Sequence, residues 1–267
     1  MPKLSIIMSV HDGRTDFLRL AIESVLGQSM RDFEFIIVDD GSSETTSRVL
    51  GEYAAADSHI VIMRNERNIG LTKSLNKAIR ASSGAYIARM DSDDIALPDR
   101  FAHQLDFLLR HDVDLIGSNC DIIDEDGELV RKKTVAPPSD FRRTLMRGNF
   151  FTHSTFFGRR HIFEEFYNEN FVRSQDYEFL LRVAGKGYRL GYMTESVLCY
   201  RLHRNGISMK NAKEQEVSAL KARLIAISKY GYSIFCFPYI VTAFMSFLLP
   251  SSMKHRIIYG SSVTKNK

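Results

Sequence analysis

Three cysteines are all that this chain of 267 residues contains, and Cys120, Cys199 and Cys236 stand far apart. Their spacing fits neither a metal clip nor a disulfide framework, and it suits a reducing compartment. Excess charge is also scarce: a formal net charge of +4 is too small to imply a nucleic-acid partner. There is no internal repeat and no low-complexity stretch. No Gly-x-Gly-x-x-Gly follows the first apolar run, which argues against a dinucleotide-dependent oxidoreductase. The loop found there, His11-Asp12-Gly13-Arg14, is a poor phosphate loop for a nucleotidyltransferase. No Ser or Cys stands with a paired base as a nucleophile would. The start, Met1-Pro2-Lys3-Leu4, enters a strand pattern without a signal peptide, so the N-terminal part is expected in the cytosol.

What is present is a chain 44% hydrophobic and 25% charged, enough for one large or two small domains with a real core. Leu4 to Val10 is almost wholly apolar, as a parallel strand covered on both faces must be. Apolar positions then recur at helical spacing from Phe17 to Leu26. Phe33 to Val38 and Ile60 to Met63 read as strands, and Thr45 to Tyr53 and Leu71 to Ala81 as helices. The run Ala85 to Ala88 is a fourth strand. This alternation predicts a doubly wound α/β domain, whose ligands sit beyond the carboxyl ends of the strands. Polar clusters fall at those ends: Ser9 to Asp12, Asp39 to Ser42 and Asp91 to Asp94.

The last cluster has the most definite chemistry. Met90-Asp91-Ser92-Asp93-Asp94 gathers three carboxylates at a strand end, with Leu97-Pro98 behind them. Like charges so close repel unless a cation sits among them. Hard oxygens suit Mg²⁺ or Mn²⁺. The alternative is a solvated loop with Asp93 or Asp94 capping a helix.

Further on, Arg100 to Arg110 reads as a helix, Asp114 to Ile123 as a strand, and Asp124 to Glu128 as a hairpin loop rather than a calcium site. Ser139 or Asp140 is expected to cap another helix. Polar and apolar residues alternate around His153. Gln175-Asp176 opens a helix, so Asp176 is either a capping acid or a carboxylate available as a general base. Val197 to His203 is a strand ending in Arg201, His203 and Arg204, and a histidine near an acidic cluster is a candidate metal ligand. Asn211 to Lys229 is a charged helix. No charge follows until Lys254, and Ser233 to Leu249 matches the roughly 17 to 25 residues of a bilayer crossing. Both flanks are basic, with Lys221, Arg223 and Lys229 before and Lys254, His255 and Arg256 after. The expectation is therefore an interfacial or re-entrant anchor kinked at Pro238, with a buried packing helix as the alternative.

Four stretches in order resemble family 2 glycosyltransferases of the bacterial polysaccharide and lipopolysaccharide-assembly kind: Ser5 to Asp12, Val38-Asp39-Asp40-Gly41-Ser42, Asn68 through Asn76 with Gly84 to Asp94, and Gln175-Asp176-Tyr177-Glu178. The resemblance implies a GT-A fold, a Rossmann-like mixed sheet over residues 1–208, with a nucleotide-sugar half to about residue 100. Residues 209–267 would be a helical, hydrophobic extension. It implies that Ser9 and Val10 meet the nucleotide, that Asp40, with Asp39 beside it, binds the uracil ring, and that Asn68, Gly70 and Lys73 lie near base and phosphates. Asp91 would bind ribose, Asp93 and His203 the metal, Mn²⁺ or Mg²⁺. Asp176 would be the base of an inverting displacement, with Gln175 where the family has Glu; losing that charge is expected to lower the Asp176 pKa. His153 and Gln175 would lie on the acceptor side. The partners implied are a UDP-sugar and a glycan or lipid-linked acceptor, handled at the inner face of the cell membrane. A non-catalytic nucleotide-sugar scaffold at the membrane is the competing reading, favoured only by Gln175.

Overall fold

The computed structural model describes residues 2–203 and 212–248. Arg204, the expected boundary at 208, Leu249 and the flank Lys254, His255 and Arg256 lie outside the described residues. The first half alternates as its periodicity predicts: β1 (Leu4–Val10), α1 (Thr15–Leu26), β2 (Phe33–Asp39), α2 (Glu44–Ala56), β3 (Ile60–Arg64), α3 (Leu71–Ala81) and β4 (Tyr86–Arg89). These four strands run parallel in the order β3-β2-β1-β4. The side-chain period of two explains the unbroken apolar run of β1. Ile7 packs with Ile36, Leu75 and Ile79 on one face. Ile6 and Met8 pack with Phe35, Ile37, Leu18 and Ile22 on the other. Parallel register also aligns the strand ends: Val10 pairs with Asp39, and Asp39 with Arg64. The polar clusters are thereby brought to one rim.

The second half is mixed. After β4 come β5 (Ile95–Ala96), α4 (Arg100–His111), β6 (Leu115–Ile123), β7 (Leu129–Lys133), α5 (Phe141–Arg147), a 3₁₀ turn His153–Thr155, β8 (Phe157–Arg159), α6 (Arg160–Phe163), α7 (Gln175–Gly185) and β9 (Leu190–Arg201). The strand path is β3-β2-β1-β4-β8-β6-β9-β5, with β7 paired to β6 as the expected hairpin. β8 runs antiparallel to both β4 and β6, and β9 parallel to β6. Only Met90 to Asp94 separate β4 from β5, yet β5 lies at the far edge, against Leu198 and Cys199 of β9. The sheet must therefore curl until that edge returns to the end of β4. The acidic loop is the link that closes the curl.

Two expectations change. Neither Asp93 nor Asp94 caps a helix, because α4 starts at Arg100 after Asp99. Nor is the apolar segment one kinked span: after α8 (Ala212–Lys229) it forms a 3₁₀ turn, Ile234–Cys236, and α9 (Phe237–Leu248). Pro238 is the second residue of α9. Its missing N–H has no intrahelical partner to lose in a first turn, so it starts the helix rather than bending it. No helix among the described residues is long and apolar enough to cross a membrane. Ala222 and Ala226 of α8 and Ile240 of α9 join the core beside α5 and α7. Asp140 does cap α5, accepting a hydrogen bond from the Arg143 N–H.

Candidate active site

The loop after β2 is built around its two acids. Asp39 Oδ1 accepts the Ser42 N–H (2.8 Å) and Oδ2 the Ser47 hydroxyl (2.7 Å). Burial pushes the Asp39 carboxyl up, but these hydrogen bonds and the nearby Arg64 outweigh it and hold the group below its ordinary value. Asp40 Oδ1 accepts from Asn65 Nδ2 (2.8 Å) and the Ile69 N–H (2.9 Å), and Oδ2 from the Gly70 N–H (2.8 Å). At most one of its four lone-pair sites remains for a ligand. Gly70 sits at φ +94° and Gly41 at φ +70°. A Cβ at Gly41 would stand 2.5 Å from the Arg67 carbonyl carbon, so only glycine admits the loop that brings Ile69 and Gly70 to Asp40. Ser9 is half-buried on β1, Val10 is buried, and Asn68 and Lys73 are exposed.

The loop after β4 is built differently. Arg89 is buried at the end of an otherwise apolar strand and forks onto both oxygens of Asp91. Asp93 Oδ2 lies 2.7 Å from His203 Nε2. Asp94 is buried; its Oδ1 accepts the Arg201 N–H (2.9 Å), while Oδ2 has no hydrogen-bond partner among the described residues. One carboxylate oxygen from each of Asp91, Asp93 and Asp94 lies within 4.8 Å of the others. The electrostatics follow from this crowding. Burial, only partly offset by Arg89, pushes Asp91 up to about 6, and burial with the neighbouring carboxylates drives Asp94 well above its ordinary value. The hydrogen bond to Asp93 raises the His203 imidazole.

Glycosyl transferase family 2 is the family whose model matches residues 5–167, which include both loops. The chain belongs to that family. It is a glycosyltransferase. It is 32% identical over 216 residues to the O-antigen biosynthesis glycosyltransferase WbnJ of Escherichia coli, covering 78% of this chain and 83% of WbnJ. In fold it is similar to TarS of S. aureus, solved with UDP-GlcNAc, at TM-score 0.72 and 17% identity over 98% of this chain and 76% of that one. It also resembles the mannosyltransferase PcManGT of Pyrobaculum calidifontis, solved with GDP-Man and Mn²⁺, at TM-score 0.63 and 14% identity over 97% and 79%. The curled mixed sheet is thus that of GT-A glycosyltransferases.

In this glycosyltransferase Asp176 lies in the first turn of α7, behind Ser174 in a left-handed conformation. Its Oδ2 accepts a hydrogen bond from Asn149 Nδ2 (2.8 Å). Burial raises its pKa, opposed by the Tyr177 N–H and the nearby Arg89. Burial therefore decides the direction relative to an ordinary carboxylate. Gln175 itself is buried beside it. His153 Nε2 meets the Tyr167 hydroxyl at 2.8 Å, and burial drives its pKa well down, so it stands neutral.

Several residues of this centre were not predicted. The sequence offers Asp94 as one of three crowded carboxylates or as a cap, without a ligand role of its own, and it does not single out Arg89, Asn149 or Lys133. Lys133 Nζ donates to Thr152 Oγ1 (2.8 Å), and burial lowers its pKa. Arg201 was read only as a strand end. It is a buried tie: Nε donates to the Asp93 carbonyl (3.0 Å), Nη1 to those of Asp124 and Glu125, and its guanidinium lies 4.3 Å from the Phe17 ring centre. An arginine inside a buried strand was itself a signal, since such a charge needs a partner. Asn149 and Lys133 carry no such local mark.

Proposed function

We propose that this glycosyltransferase moves a sugar from a UDP-linked donor to a hydroxyl of a surface-glycan or lipid-linked acceptor, with inversion at the anomeric carbon. The observation that carries the reading is the crowded, under-compensated triad Asp91, Asp93 and Asp94 at the rim of the sheet. Three hard carboxylates, of which Asp91 and Asp94 have raised pKa values and Asp94 an orphaned buried oxygen, fit a divalent cation of the Mg²⁺ or Mn²⁺ class. Asp93 and Asp94, with His203, are the residues that would hold it. Asp91 is assigned to the ribose, fixed in place by Arg89. Ser9, Val10, Asn68, Gly70 and Lys73 are assigned to the nucleotide. Asp39 and Asp40 shape the base pocket, Asp40 offering its remaining lone pair. A Mn²⁺ or Mg²⁺ held there would supply positive charge to offset that gathering on the departing diphosphate.

The chemistry is then a direct displacement. The acceptor oxygen bonds to the anomeric carbon as the bond to the diphosphate oxygen breaks, and the acceptor proton passes to Asp176. Its raised pKa suits that task better than an ordinary carboxylate's. Asn149 orients the carboxylate, and neutral His153 and Gln175 face the acceptor side. UDP as donor is supported by the fold shared with a UDP-GlcNAc-bound transferase, and a glycan acceptor by likeness to an O-antigen enzyme. We place the chain at the cytoplasmic face of the cell membrane, touching it through residues 233–249.

Calorimetry of UDP with purified protein, with and without Mn²⁺, tests the reading. Wild type should bind UDP tightly only with Mn²⁺, and Asp93→Ala should lose that dependence. Binding indifferent to metal and to Asp93 would overturn the metal assignment. UDP binding without any metal dependence, together with no transfer, would favour the non-catalytic scaffold reading.

A further inference from the structure

We propose that the outer face of α9 and the turn before it dock flat on a bilayer surface rich in anionic lipid. The proposal deepens the membrane contact assigned above and does not depend on the transfer chemistry. Ile234 and Phe235 are 64% and 89% exposed, and Phe237, Val241, Phe244 and Met245 continue the ridge at helical spacing. Folded surfaces seldom leave so many large apolar groups side by side without a partner. The opposite side of α9 is fastened down. Ile240 is buried, and the Tyr239 hydroxyl accepts a hydrogen bond from Arg143 Nε (3.1 Å). The ridge is therefore an added feature of a folded helix and not a frayed core.

Charge identifies the occupant. Arg142, Arg143 and Arg147 of α5 are exposed and meet α9 and the segment just before its leading turn. Arg142 donates to the Gly231 carbonyl (2.8 Å), and Arg147 lies 5.4 Å from the Tyr239 ring centre. Asp140 is the acid that stands with them, at the cap of α5. Residues 217–267 contain seven lysines and arginines and no Asp or Glu. The whole chain is only +4, so the rest of it is net acidic and would be repelled by an anionic surface. A basic rim around an apolar ridge matches headgroups around acyl chains. A second copy fits less well, because a two-fold contact sets the same arginines against each other. The twelve described residues of α9 rise about 18 Å, short of a hydrocarbon core of about 30 Å, which suits a helix lying on the surface.

The test is co-sedimentation with vesicles of phosphatidylcholine alone and of equal phosphatidylcholine and phosphatidylglycerol. Wild type should pellet with the anionic vesicles, less with the neutral ones, and less as salt rises. The double variant Phe235→Ser/Phe244→Ser should bind about tenfold more weakly or worse. Arg142→Glu/Arg143→Glu should lose at least about fivefold per reversed charge. All four positions are exposed, and UDP calorimetry on the same variants should be unchanged, which separates failure of docking from failure of the transferase assignment. Equal pelleting of wild type and both variants would overturn the proposal, as would equal binding to the two vesicle types. A wild-type dimer in sedimentation velocity that Phe235→Ser dissolves, with no vesicle binding, would overturn it in favour of a second copy.

Discussion

Asp39 and Asp40 close β2, and Asp91, Asp93 and Asp94 follow β4, two strands away in the same sheet. Both clusters read alike: paired acids after an apolar run. Their surroundings differ. The first pair accepts five hydrogen bonds from Ser42, Ser47, Asn65, Ile69 and Gly70. The second cluster has one oxygen orphaned and two carboxyls pushed up by burial and mutual repulsion. A satisfied carboxylate stabilises the loop that wraps it, whereas an under-satisfied one stores charge for a ligand. Spacing alone does not separate a satisfied pair from a crowded cluster; the count of donors around each oxygen does.

The largest expected effect lies with a third kind of acid. Asp176 is intermediate, with a side-chain donor from Asn149, the Tyr177 N–H nearby and a raised pKa. Asp176→Asn should cut transfer by about 10² to 10⁴ in kcat, the usual worth of a general base, while UDP affinity stays within about twofold. UDP release in the presence of acceptor measures the first and calorimetry the second. Wild-type turnover would remove Asp176 from the role.

The comparison itself is sharpened by matched truncations. Asp40→Ala strips the acceptor from three buried or half-buried donors and should cost about 3 kcal/mol, or about 5–10 °C in Tm. Asp93→Ala should leave the Tm of metal-free protein within about 2 °C, because its loss relieves like-charge crowding. Equal losses would break the distinction between the clusters. Gly41→Ala should fall between them, at about 1–3 kcal/mol, since both φ +70° and the Arg67 backbone oppose a Cβ. Thermal melts of the three variants rank them.

Legibility followed locality. β1 to β4 and α3 were readable because each is specified by its own period and is long enough to show it. β5 and β8 were not, since two or three residues carry no period and pair with strands far away in sequence. Asp91, Asp93, Asp176 and His203 were legible through their motifs, and the Asp93–His203 pair does form. Asp94 is legible as one of three crowded carboxylates, but its tie to the Arg201 N–H 107 residues away is not, and Asn149 bonds Asp176 from a loop with no signature. The proline of the apolar segment misled because its effect depends on where the helix begins, which the preceding 3₁₀ turn decides.

The finest test of the comparison is in pH. A general base works deprotonated, so transfer should fall as pH drops through the Asp176 pKa, and burial moves that limb up from an ordinary aspartate's. Were Asp176 as well satisfied as Asp39, the limb would lie below an ordinary aspartate's instead. Asn149 donates to the charged form and so holds the Asp176 pKa down. Asn149→Ala removes that support, and the limb should move to higher pH, lowering the rate on its acid side while the alkaline plateau changes little. A pH–kcat profile of the two proteins reads the shift directly. A limb that stays put would mean that Asn149 packs beside Asp176 without tuning it, and that burial alone sets the base.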